Sequence, residues 1–205
     1  FAGDEVCNGG DVVVCPDGSV RLLDLIERGV FYGLSPHSEE FSLSATRSPK
    51  LQYHLQEILA PLQEVAPEIH ECLNSYLEDD KFFAETRFVN SVEFVNVKDE
   101  IAYAVPKDCH KEQAAIQFKV VKPYSGYRYF INDDLWKKMN DFQRASLVIH
   151  EVILRNFLLN PQWNGDTTAV RYLTGVIISQ EVAQMTPQRF KSVLEGVSFT
   201  CTKNK

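Results

Sequence analysis

The sequence has no apolar run approaching the roughly 18 residues that a membrane-spanning helix needs, so no segment is expected to cross a bilayer. It is also short of positive charge: 21 Lys and Arg stand against 28 Asp and Glu, a formal net charge of −7. A chain without a basic excess is poorly suited to a phosphate backbone, so nucleic-acid binding is not expected. The cysteines, Cys7, Cys15, Cys72, Cys109 and Cys201, include no CxxC pair and no Cys/His cluster, which argues against a zinc ribbon or finger. No metal or organic cofactor is therefore expected. Internal repeats and low-complexity stretches are missing as well.

What remains describes an ordinary folded chain. Its 205 residues are 44% apolar and 24% charged, the balance of one globular domain spanning 1–205, expected to be a monomer. The first residue is Phe1, which suggests that an amino-terminal piece has been removed, a cleaved signal peptide being the natural candidate. In an oxidising compartment Cys7 could pair with Cys15 across a short glycine-containing loop, and Cys72 with Cys109, leaving Cys201 over. Five reduced, buried thiols are the alternative.

Local patterns set out the elements. Val12 to Cys15 reads as a strand, Pro16-Asp17-Gly18 as a turn, and Val20 to Leu22 as the returning strand. A helix from Leu22 should stop at Gly29, with a loop over 33–48. Helical spacing resumes near Pro49 and breaks at Pro61 and Pro67. Phe88 to Val97, Ile101 to Val105, Ala115 to Val121 and Tyr127 to Ile131 read as four strands of one antiparallel sheet, the last two joined by a hairpin. The final third is helical: a short helix capped by Asn132 or Asp133, a long one from Asp141 to about Asn160, and another from Asp166 or Thr167 to about Gln184. A last helix opens at Thr186-Pro187. The fold class is α+β, a small antiparallel sheet packed against several helices around a central buried helix.

That central helix carries Leu147-Val148-Ile149-His150-Glu151-Val152-Ile153-Leu154-Arg155, apolar around most of its circumference. Buried His, Glu and Arg need partners, because unpaired buried charge is costly. A zinc-binding HExxH motif fails here, since Leu154 stands where the second histidine would be. At about 100° per residue, Arg144, Glu151 and Arg155 fall within about 40° of one another, whereas His150 points elsewhere. Glu151 and Arg155 then have two readings: an i,i+4 ion pair, or a general acid whose arginine neighbour is engaged elsewhere, for instance by Asp166. An adjacent guanidinium would lower the carboxyl pKa that a general acid needs raised. His150 reads most simply as a hydrogen-bonded core histidine.

Several segments together resemble a known family: Gly9-Gly10-Asp11-Val12-Val13-Val14-Cys15, Leu22 to Glu27, Pro106-Lys107-Asp108-Cys109 with Gln113, His150-Glu151 with Arg155, and Asp166 to Arg171. The family is one of secreted proteins of predatory bacteria and their relatives, some members of which are peptidoglycan-cutting muramidases of a lysozyme superfamily. The resemblance implies secretion or a periplasmic location, bacterial cell-wall glycan as partner, and a catalytic role for Glu151. The chain departs from the pattern at Leu154, where an aromatic residue, commonly Tyr, usually precedes the Arg.

Glycoside hydrolysis usually needs a second carboxylate, about 5 Å away for retention or roughly 6.5–9.5 Å for inversion. Asp11 is our choice, because Gly9 and Gly10 before it allow close approach to backbone. Asp24 and Glu27 look like a solvated helix face, and Asp133 and Asp134 like helix caps. His150, Arg155, Arg171 and Asp166 would support the site. Among Tyr124, Tyr127, Tyr129 and Trp163, the loop residue Trp163 is the best candidate platform for a sugar, and Tyr127 is the second. The leading expectation is a peptidoglycan-degrading glycoside hydrolase with Glu151 as its general acid; the competing reading is a non-catalytic wall-binding or inhibitor protein in which Glu151, Arg155, Asp166 and Arg171 form a buried ion-pair network.

Overall fold

The computed structural model describes residues 6–8, 10–37, 49–90, 94, 104–119, 126–163 and 165–201, the first segment and 49–50 as backbone only. Tyr124 and most of the proposed strands over 88–97 and 101–105 lie outside these residues.

Two small sheets lead the architecture. Strands β1 (Val6–Asn8), β2 (Asp11–Val14) and β3 (Val20–Leu22) open the chain; β4 (Thr86–Val89), β5 (His110–Gln113), β6 (Ala115–Phe118) and β7 (Tyr129–Asn132) follow. One sheet has the order β1-β6-β7-β4 and the other β3-β2-β5. The single antiparallel sheet expected over the middle of the chain is thus corrected. β6 and β7 are antiparallel neighbours, β4 starts earlier and runs parallel to β7, and β5 joins the amino-terminal hairpin instead.

Gly10 and Ala114 form the corner between the sheets. β1 passes into β2 through Gly10, and β5 passes into β6 through Ala114. The Gly10 carbonyl accepts from both Ala114 N (3.0 Å) and Ala115 N (3.3 Å). Beyond the corner, side chains of β2 alternate as a strand dictates. Val12 enters the main core, and Val13 a smaller cluster with Leu23 and Ile26.

Capping side chains, prolines and a left-handed glycine bound several of the helices. α1 (Leu23–Tyr32) runs through Gly29 and ends only at Gly33, which takes φ 62° and donates its N–H to the Arg28 carbonyl. Gly29 fails to stop it because one internal glycine costs only about 1 kcal/mol, less than the burial of Leu23 to Arg28 contributes. Pro61 and Pro67 divide the next stretch into α2 (Pro49–Leu59), α3 (Leu62–Val65) and α4 (Pro67–Asn74). α5 (Lys81–Ala84) precedes β4. Asn132 caps α6 (Asp133–Lys138) by accepting from Asp134 N and Leu135 N. α7 (Asp141–Leu159) is capped by Asn140 and is buried at every position from Asp141 to Leu158. α8 (Thr168–Ile177) ends sooner than expected, and a 3-10 turn over Gln180–Gln184 follows it. α9 (Pro187–Gly196) starts at a Thr186 cap with proline in its first turn. α2 and α8 both pack on α7, the central buried helix of an α+β fold.

The disulfides differ from the expected pairing. Cys15 joins Cys109 and Cys72 joins Cys201. The β2–β5 register (Val14 opposite His110) brings Cys15 and Cys109 opposite each other one step on, with Cα atoms 4.3 Å apart. Cys7 lies on β1 in the other sheet, and the extended β2 carries Cys15 away from it. Cys72–Cys201 anchors the tail after α9 to α4. No helix among the described residues is long and apolar enough to cross a membrane.

Candidate functional site

Glu151 sits at mid-length of α7, is 0% exposed, and faces the corner between the sheets. Its Oε1 accepts the Gly10 N–H at 2.6 Å, and its Oε2 accepts from Gln117 Nε2 at 3.0 Å. The same Gln117 amide also donates to the Glu151 carbonyl at 2.9 Å. One carboxyl group therefore ties α7 to the β1–β2 corner and to β6. Gly10 is needed for this approach: a Cβ there would collide with Leu147 and stand 3.6 Å from Glu151 Oε1. The close approach permitted by that glycine is to a helix of the same chain, not to a ligand. Burial raises the Glu151 carboxyl above the usual range, while His150 and the Gly10 and Gln117 hydrogen bonds pull the other way.

His150, one position back, points to α1. Its Nδ1 lies 2.6 Å from Asp24 Oδ2, and both side chains are buried. Burial works against the imidazolium, but Asp24, with Glu151 and Asp11 behind it, lifts His150 above the ordinary histidine value. His150 Nε2 has no hydrogen-bond partner among the described residues. Three residues further along α1, Glu27 takes the Arg171 Nε–H at 2.8 Å, and Arg171 also reaches Thr167 Oγ1 at 2.7 Å. Asp24 and Glu27, expected on a solvated face, are each 1% exposed. Burial raises the Glu27 carboxyl, with Arg171 opposing it. Asp11 is 4% exposed and ion-paired with Lys111 at 2.9 Å. It shares the alternation of Val13, whereas Gly10 and Val12 stand on the side of α7.

Among the described residues the ion-pair network of the competing reading does not form. Arg155 turns from Glu151 to Glu85 Oε2 (2.9 Å), a carboxylate shared with Arg128, and to the Tyr129 hydroxyl (3.4 Å). The Tyr76 ring covers its guanidinium at 4.6 Å. Arg144, on the same stripe, bonds to Asp141 and to the Trp136 and Lys137 carbonyls. The arginines share a helix face, but their long side chains leave it in different directions. Leu154 is a core residue with 0% exposure. Tyr129, on β7, supplies Arg155 with a phenol, and burial pushes that hydroxyl well above its usual pKa.

Asp166 and Trp163 lie elsewhere, in a groove bordered by α8 and α9. Asp166 Oδ1 accepts from Thr168 N at 2.8 Å, and the Trp163 indole N–H donates to the Asp166 carbonyl at 3.2 Å. Asp166 is exposed, so it neither reaches Arg155 nor belongs to a buried network. Tyr127 is half-buried beside the β6–β7 pair, edge-on to Phe130 with Arg87 over its ring. Among the described residues no group of His, Cys, Asp or Glu is arranged to hold a metal ion. Sequence reading missed Gln117, Asp24 and Glu85 as the partners of the α7 charges. Gly10 carried the one available signal, a glycine pair beside a strand.

Comparisons of the chain with protein-family models, with curated proteins and with solved structures find no match.

Proposed function

We propose that this is a secreted, non-catalytic protein that binds bacterial cell-wall glycan, with Glu151 serving to fasten the central helix to the sheets. The enclosure of Glu151 carries the reading: the side chain is 0% exposed and both carboxyl oxygens take internal hydrogen bonds. A general acid has to come within hydrogen-bond reach of the oxygen it protonates, and a side chain walled in on all sides has no path to a glycosidic bond. Two disulfides fit an oxidising compartment. The resemblance to secreted, wall-directed proteins supports glycan as the partner, as does a half-buried tryptophan, Trp163, at the edge of a groove.

One observation favours a muramidase instead. The Glu151 carboxyl is raised by burial and Arg155 is engaged by Glu85, so the two electrostatic requirements of a proton donor are met. In that reading Glu151 is the acid, Asp11 or another carboxylate assists, and the site opens to admit a sugar. Incubation with purified peptidoglycan separates the two, with wild type and Glu151→Gln side by side and released fragments read by mass spectrometry. The binding reading expects both proteins to sediment with the wall and neither to release fragments. Reducing-end muramic acid from the wild type alone would overturn it.

A further inference from the structure

We propose that the groove between the end of α1 and helices α8 and α9 is the saccharide-binding site; the proposal rests on the wall-glycan reading and locates it. The groove has two lobes, of about 610 Å³ and about 330 Å³, within the roughly 300–1,000 Å³ typical of small-ligand sites. They meet at Asp166, Ala169, Gly196 and Val197. Joined in this way they make one continuous site of two lobes.

The lining suits a sugar chain better than a lipid or a polyanion. Tyr32 and Tyr172 meet edge-on at 4.7 Å in the larger lobe, and Trp163 stands in the smaller one. The indole is held in place by its bond to the Asp166 carbonyl and by Phe157, 6.0 Å away between ring centres. Fixed aromatic faces match the C–H face of a pyranose, and amides and hydroxyls match its rim. Ser192 provides such a group in one lobe, Asn160 and Gln162 in the other. One carboxylate, Asp166, and one guanidinium, Arg189, face the larger lobe. Their opposite charges favour a polar ligand of little net charge over a highly charged one, in a protein whose own charge is −7.

Gly196 provides a separate argument. It belongs to both lobes, ends α9 without a left-handed φ, and a Cβ built on it would meet nothing within 4 Å. Neither a left-handed φ nor a close contact requires glycine there. Its missing side chain keeps the junction of the lobes open.

The test blocks that junction. Gly196→Trp and Ser192→Trp, the latter at an exposed position of α9, are compared with wild type and with Lys191→Ala, a surface control outside the groove. Thermal melts confirm that each variant folds; Ser192→Trp serves if Gly196→Trp does not. Binding is measured by sedimentation with purified sacculi and by calorimetric titration with the N-acetylglucosamine tetramer. The proposal expects at least about a tenfold loss of affinity in a folded blocking variant, with the control unchanged. Equal binding by wild type and a folded blocking variant would overturn the groove while leaving the wall-glycan reading intact. Failure of the wild type to bind either probe would overturn both.

Discussion

The enclosed centre around Glu151 and the open groove beneath Trp163 are built from similar residue types and do opposite things with them. In the centre, each carboxylate meets a partner of the same chain: Glu151 the Gly10 amide, Asp24 the His150 ring, Glu27 the Arg171 guanidinium. In the groove, Asp166 and Arg189 are exposed and border a cavity, with three aromatic rings close by. The contrast teaches that charge on an apolar helix marks where the fold is fastened. The surface able to bind a ligand is composed of residues that look ordinary in sequence.

The largest expected effect breaks the centre directly. Asp24→Ala leaves the His150 imidazole buried without its carboxylate, and removing one partner of a buried pair costs about 3–5 kcal/mol. Chemical denaturation should show a loss of that size with sugar binding in the folded fraction unaffected. A loss within the scatter of surface substitutions would mean that the centre fastens nothing.

A smaller, graded effect comes from pH. Glu151, Glu27 and His150 all have folded-state pKa values above their ordinary 4.5, 4.5 and 6.5. Between the ordinary and the raised value the folded state holds more protons than the unfolded chain. The associated stability is therefore complete below the ordinary value and lost as pH rises through the raised one. Melting temperature should be highest in mild acid and fall toward alkaline pH. Glu151→Gln should flatten part of this slope. At mild acid it should itself cost about 1–3 kcal/mol, because a second amide would face Gln117 Nε2. The groove, with no such buried group, should hold its ligand across the same range. A slope of opposite sign would contradict the assignment.

Much of the fold could be read from local chemistry. Pro61 and Pro67 divide the second helical stretch, Asn132 and Thr186 cap their helices, and Pro16-Asp17-Gly18 turns the first hairpin, as short-range rules require. The errors arose where partners are distant in the chain. Asp24 looks solvated in sequence because His150 lies 126 residues away, and the choice between Glu151 and a distant partner for Arg155 stays open there because Glu85 lies 70 residues back. The Cys15–Cys109 disulfide depends on the β2–β5 register, which no spacing of cysteines reveals. Gly29 reads as a helix stop, but burial of the residues before it outweighs its propensity. For the candidate site, the prominence of Glu151 was legible, but its enclosure was not.

The most direct test of that enclosure is hydrogen exchange at the Gly10 amide, followed by NMR in wild-type protein. This N–H, bonded to Glu151 Oε1 in a buried corner, is expected to exchange as slowly as the most protected core amides of α7, through global unfolding. Exchange at the rate of an exposed loop would show that water reaches the carboxyl in the native state, and would contradict the fastening role assigned to Glu151.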